Sequence, residues 1–183
     1  MDFDCIMLAA GISSRMGKWK MTLPLEDSTI IETSVANALG GCGRIILVTG
    51  FHHEELETLF QNHTAVTCVY NPDFEKDMFS SVREGSKHIE SDYFYVALGD
   101  MPFIPSRVYR ELAPFAGEKA VFPELDGRQG HPVLLPASIL PRIRESVGLR
   151  HMRDLLADYP STSIPFDCEG VIHDIDTRED YLR

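Results

Sequence analysis

The chain has 183 residues, 44% of them hydrophobic, enough to bury about 70% of the unfolded surface in one core. Its 17 basic and 28 acidic side chains give a net charge of −11. That balance, without any basic run, argues against a grip on nucleic acid or an anionic membrane surface, yet leaves room for a nucleotide neutralised by local cations or a divalent metal.

Apolar, β-branched runs alternate with helical patterns along the chain. Strands are expected at Phe3–Leu8, Ile45–Thr49, Val66–Tyr70, Tyr93–Leu98, Ala120–Phe122 and Val171–Ile175. Helices are expected at Thr29–Leu39, Glu54–Asn62, Phe79–Ile89, Ser106–Phe115 and Ala137–Ser146, the first fixed by a capping box of Thr29 and Glu32. Such alternation predicts an α/β fold with a mainly parallel sheet covered on both faces, as one domain over residues 1–183. Residues Phe122–Pro136 break the pattern and read as an inserted loop or hairpin. No apolar run approaches the roughly 20 residues that cross a bilayer, and Met1-Asp2-Phe3-Asp4 lacks the basic start of a leader. Cys5, Cys42, Cys68 and Cys168 form no Cys-x-x-Cys pair. Cys5 and Cys68 lie in strand-like runs and are expected as buried free thiols in a reducing cytoplasm.

The first strand runs into Leu8-Ala9-Ala10-Gly11-Ile12-Ser13-Ser14-Arg15-Met16-Gly17-Lys18-Trp19-Lys20. Gly11 and Gly17 tolerate positive φ, so the backbone can turn and aim several N–H groups at one point, beside the charges of Arg15, Lys18 and Lys20. Donors and cations so arranged suit a polyphosphate, although cations merely solvated on a loop are the plainer alternative. This is not a P-loop, because five residues separate Gly11 from Gly17 and Trp19 follows Lys18. Nor is it a dinucleotide fingerprint, because Ser13 and Met16 stand where glycines are needed.

Ligands of parallel sheets lie beyond the carboxyl ends of the strands. Asp100 follows Tyr93–Leu98 through Gly99, and Asp174 and Asp176 close the last expected strand, where alternation puts both on one face. One or two such carboxylates hold a hard divalent ion against phosphate oxygens. Each also has a structural reading: a turn before Pro102 for Asp100, and a helix cap for Asp176, with Thr177 and Asp180 as a rival cap for Arg178–Leu182. Ser80 and Ser81 open a helix, where their hydroxyls face a base edge or, for Ser81 with Glu84, close a capping box. Gly127-Arg128-Gln129-Gly130-His131-Pro132-Val133 reads by itself as a glycine-rich turn.

The first loop resembles the signature of nucleotidyltransferases that act on the molybdenum cofactor and on sugar or alcohol phosphates. Leu8, Ala9, Ala10, Gly11, Arg15, Met16, Gly17 and Lys20 match it in one register. Gly99-Asp100-Met101-Pro102 resembles the family's Asp-x-Pro metal site, and Asp174-Ile175-Asp176-Thr177 its C-terminal Asp-x-Asp-Thr. Ser80-Ser81-Val82 is similar to the element beside the nucleobase in the cytidylyltransferase branch, and Gly127–Val133 to a stretch typical of molybdenum cofactor cytidylyltransferases. The likeness runs from Cys5 to Tyr181. It departs at Val147-Gly148-Leu149-Arg150-His151-Met152-Arg153, where the family often has Gly-Asp-x-Gly-Ala-Arg, and this leaves the acceptor open.

The resemblance implies a three-layer, Rossmann-like nucleotidyltransferase fold. It implies Mg2+-dependent transfer of CMP from CTP to a phosphate-bearing acceptor, a molybdopterin-type one first, with release of pyrophosphate. The nucleotide would then be held by Leu8, Ala9, Ala10, Gly11, Ser13, Ser14, Arg15, Lys20, Ser80, Ser81 and Asp100. Arg15, Lys20 and Asp100 would serve catalysis, with Mg2+ on Asp100 and Asp176 and Asp174 as the open alternative to the latter. His131 and Arg128 would face the acceptor. Lys20→Ala is expected to lower turnover by a factor on the order of 10² to 10³ with a modest effect on folding. The alternatives are cytidylyl or guanylyl transfer to a sugar or alcohol phosphate, and a non-catalytic maturation chaperone partnered with a molybdenum hydroxylase.

Overall fold

In the computed structural model, residues 2–12, 19–146 and 148–182 are described. Strand β1 (Asp4–Ala9) leads to a small hairpin, β2 (Pro24–Leu25) and β3 (Ser28–Thr29), then α1 (Ile30–Leu39), β4 (Arg44–Thr49), α2 (His53–Phe60), β5 (Val66–Tyr70), α3 (Met78–Ser86), β6 (Tyr93–Leu98) and α4 (Ser106–Leu112). The second half adds β7 (Ala120–Leu125), β8 (Arg128–Gln129), β9 (Val133–Pro136), α5 (Leu140–Glu145), α6 (Met152–Leu156), β10 (Ser161–Pro165) and α7 (Arg178–Tyr181).

Every residue of β1 is buried, as a central strand covered on both faces requires. The sheet runs β10-β7-β9-β6-β1-β4-β5, with β8 paired to β7. Pairing is parallel throughout β6-β1-β4-β5 and between β7 and β10, whereas β9 runs antiparallel to both neighbours. Side chains alternate across it. Cys5, Met7, Ala9, Ile45, Leu47 and Tyr95 join one core with α1, α2 and α4; Ile6, Leu8, Ile46, Val48, Phe94 and Val96 join the other with α3, α5 and α6. The three layers and the mainly parallel sheet are those expected. No helix among the described residues is long and apolar enough to cross a membrane.

The structure corrects several expectations. Val171–Ile175 is no strand: a 3₁₀ turn, Glu169–Ile172, leads into extended chain. Val171 and Ile175 are buried because this segment crosses the ends of other loops rather than joining the sheet. The Ile175 N–H donates to the Asp100 carbonyl (2.9 Å) and the His131 N–H to that of Val171 (2.8 Å). The edge beside β7 is taken by β10 instead, whose polar, partly exposed residues carry no apolar signal. Residues Phe122–Pro136 hold a two-residue hairpin between β7 and β8, with positive φ at Asp126 and Gly127, followed by strand β9. Thr29 caps α1 as expected, its Oγ1 accepting from the Glu32 N–H. Ser81 does not cap α3. The cap is Asp77, whose extended backbone lets the helix begin at Met78. All four cysteines are free, but Cys68 is only half-buried because β5 is the sheet edge.

Candidate functional site

The carboxyl ends of β1 and β6 open onto a cavity of about 360 Å³. One wall is Leu8, Ala10, Gly11 and Ile12; a second is Phe74, Asp77, Met78 and Ser81 around the start of α3; a third is Lys20, Asp100, Asp174 and Asp176.

Asp100 is set by backbone geometry. The Gly99 N–H donates to the Leu8 carbonyl (2.9 Å), and a Cβ on Gly99 would stand 2.7 Å from Cδ1 of Ile31. Helix α1 braces the loop: Ser34 Oγ donates to the Gly99 carbonyl (2.9 Å) and Asn37 Nδ2 to that of Pro102 (2.8 Å). Asp176 is released from capping because Thr177 and Asp180 form a reciprocal capping box on α7. Both acids meet Lys20, only 6% exposed, whose Nζ lies 2.6 Å from Asp100 Oδ2 and 2.8 Å from Asp176 Oδ1. Burial alone would lower the Lys20 pKa, but the Asp100 charge and the bonds to Asp100 and Asp176 outweigh it and hold the ammonium above its ordinary value. Asp174 shifts upward, chiefly through burial and then through the charges of Asp176 and Asp100.

Asp100, Asp174 and Asp176 each offer an oxygen within 4.8 Å of the others. Among the described residues, three carboxylates less one ammonium leave a charge of −2, and the donors are all hard oxygens. That set fits a divalent cation such as Mg2+.

Of the residues singled out in the sequence, Leu8, Ala10, Gly11, Lys20, Ser81, Asp100, Asp174 and Asp176 come together here. Ala9 faces the opposite core. Ser80 is buried and spent: its Oγ accepts from Asn71 Nδ2 (2.9 Å) and donates to the carbonyl of Asp77 (2.7 Å) or Asp73 (3.1 Å). Ser13, Ser14 and Arg15 lie outside the described residues, as do Gly17 and Lys18. Gly11 does not adopt the positive φ expected of it; a Cβ there would meet nothing within 4 Å, so the glycine keeps space open at the cavity wall. Arg128 is exposed on β8 and lines no part of the cavity. His131 is partly buried, with Nδ1 3.4 Å from the Val96 carbonyl. Its burial lowers the pKa against the opposing pull of that carbonyl and of the Asp100 and Asp174 charges, which favours the uncharged ring. Sequence reasoning missed Phe74, Asp77 and Met78, and the bracing by Ser34 and Asn37. The Asp77-x-x-Ser80 spacing was the available signal for the first group.

The sequence profile of the MobA-like NTP transferase domain matches residues 5–163. The chain belongs to that family. Among curated relatives of this MobA-like transferase, the molybdenum cofactor cytidylyltransferase of Escherichia coli (strain K12) is 36% identical over 179 residues, 98% of this chain and 93% of its own. The purine catabolism protein PucB of Bacillus subtilis (strain 168) is 27% identical over 191 residues, 96% and 92% of the two chains. A nucleotidyl transferase from Methanothermobacter thermautotroptrophicus superposes with a TM-score of 0.87 at 23% identity, over 100% of this chain and 95% of that one, and so shares the fold.

Proposed function

We propose that this chain transfers CMP from CTP to the terminal phosphate of a molybdopterin-type cofactor, releasing pyrophosphate. The observation that carries the reading is Lys20 buried between Asp100 and Asp176 beside the Gly11 wall, in a chain so similar to a cytidylyltransferase for that cofactor. The acceptor phosphate, already anionic near neutral pH, attacks the α-phosphorus in line and the pyrophosphate oxygen leaves. No general base is required, so His131 serves as a contact on the acceptor side, with Arg128 beyond it.

Catalysis is then positioning and charge neutralisation. Amides near Gly11 hold the β- and γ-phosphates, and Arg15 balances the departing pyrophosphate. Lys20, fixed by two carboxylates, stabilises charge growing at the α-phosphate. Mg2+ held by Asp100 and Asp176, with Asp174 in reach, would neutralise phosphate oxygens. Ser34 and Asn37 keep Asp100 in place, and Ser81 faces the base.

Pyrophosphate release from CTP and Mg2+ tests the reading, with molybdenum cofactor or with sugar and alcohol phosphates as acceptor. Turnover confined to the cofactor is expected. Turnover only with a small phosphate would reassign the acceptor, and CTP binding without turnover of any acceptor would favour a maturation chaperone.

A further inference from the structure

Asp77 has no part in the chemistry above, yet it stands in the cavity wall one helical turn before Ser81. The two residues line the same wall, Asp77 as the extended N-cap of α3 and Ser81 four positions on. Their hydrogen-bonding capacity is only partly used. Asp77 Oδ1 accepts the Ser80 N–H at 2.6 Å, which leaves Oδ2 as an acceptor. Ser81 is 3% exposed, and its oxygen accepts from Asn71 Nδ2 at 2.9 Å. Its hydroxyl proton has no acceptor among the described residues, so it is left to donate into the cavity. Asn71 thereby separates the two serines: Ser80 spends its proton on backbone carbonyls, and Ser81 keeps one for a ligand. Phe74 and Met78 line the same wall with apolar surface for a flat ring. Gly50 lets the Phe74 ring seat against β4's end, since a Cβ there would collide with that ring.

An acceptor beside a donor, flanked by apolar faces, matches the edge of a base whose exocyclic amino group adjoins a ring acceptor. Cytosine has that edge. In uracil a carbonyl replaces the amino group and would face the Asp77 carboxylate, acceptor against acceptor, leaving both unpaired. We infer that Asp77 and Ser81 together read the amino group and adjoining ring acceptor of cytosine, and that Asp77 is the residue that rejects uracil. This rests on the nucleotidyl-transfer reading and adds its base discrimination.

The test compares kcat/KM for CTP and UTP, with Mg2+ and the same acceptor, in the wild type, Asp77→Asn and Asp77→Ser. Both replacements retain an N-cap, so α3 is kept. Asparagine can also turn its NH2 toward the uracil carbonyl. The expected result is a clear CTP preference in the wild type that falls at least about tenfold in Asp77→Asn, partly through a gain with UTP. Wild-type protein supplies an arm free of folding effects: N4,N4-dimethyl-CTP, which lacks the amino donors, should be used at least about tenfold less well than CTP. A CTP-to-UTP ratio unchanged in both variants, equal use of the two nucleotides by the wild type, or tolerance of the dimethyl analogue would overturn the inference and leave nucleotidyl transfer standing. Failure of the wild type to bind any nucleotide would instead remove the reading on which it rests.

Discussion

Lys20→Met removes one positive charge from among three carboxylates and keeps most of the side-chain volume. Taking away one partner of a fully buried pair costs about 3–5 kcal/mol. Here the Asp100 and Asp176 side chains are 17% and 25% exposed. Solvent therefore takes up part of the charge that Lys20 had balanced, and about 2 kcal/mol is the expected cost. For a chain of this size that is roughly 4–8 °C in melting temperature. The modest effect on folding expected from sequence is thus revised upward, because the ammonium proves to be buried and paired. Melting in chelator-treated buffer measures it, and added Mg2+ should narrow the gap, since a cation at Asp100 and Asp176 replaces the lost charge. Turnover should still fall by a factor on the order of 10² to 10³. A variant melting within about 1 °C of the wild type without metal would refute the charge argument.

Further outcomes follow from other contacts. Asp4, 5% exposed, accepts from Arg44 Nε and Nη2 (both 3.0 Å) and from the N–H groups of Glu90 (2.8 Å) and Ser91 (3.1 Å). Burial pushes its pKa up, but these bonds outweigh burial and hold it below the ordinary 3.8. Its contribution is therefore fully present above that value and is lost as pH falls through the lowered one. Asp4→Asn should cost about 2 kcal/mol at pH 7, and denaturant midpoints should converge with the wild type on acidification below 3.8; a gap equal at both pH values speaks against the ion pair. Gly130→Ala places a Cβ against the Val171 carbonyl and should cost about 1–3 kcal/mol, read as a lower melting temperature; full stability would show that this crossing can shift. Ser34→Ala frees the Gly99 carbonyl and should lower kcat about tenfold with KM for CTP little changed. Unchanged kcat would make Ser34 a packing residue only.

Much of the fold could be read from the chain because β1, β4 and β6 are buried on both faces and appear as unbroken apolar runs. Strand β10 could not, since an edge strand needs no apolar residues and Ser161-Thr162-Ser163 shows none of the usual pattern. Val171–Ile175 misled for the opposite reason: its burial comes from lying across loops, a cause that periodicity does not distinguish from sheet pairing. At α3 two capping patterns overlap, Asp77-x-x-Ser80 and Ser81-x-x-Glu84, and tertiary packing chooses the first. The acidic residues were visible singly, but Lys20 and Asp176 are 156 positions apart, and only the crossing of the C-terminal segment over the sheet makes them partners.

Diffraction from crystals grown with CTP and Mn2+, recorded for anomalous scattering, tests the central claim most directly. The account expects a manganese peak touching carboxylate oxygens of Asp100 and Asp176 and a phosphate of CTP, with Lys20 beside the α-phosphate and the cytosine ring against Asp77 and Ser81. A manganese peak remote from those acids, or CTP bound elsewhere than the cavity between Gly11 and Asp100, would contradict it.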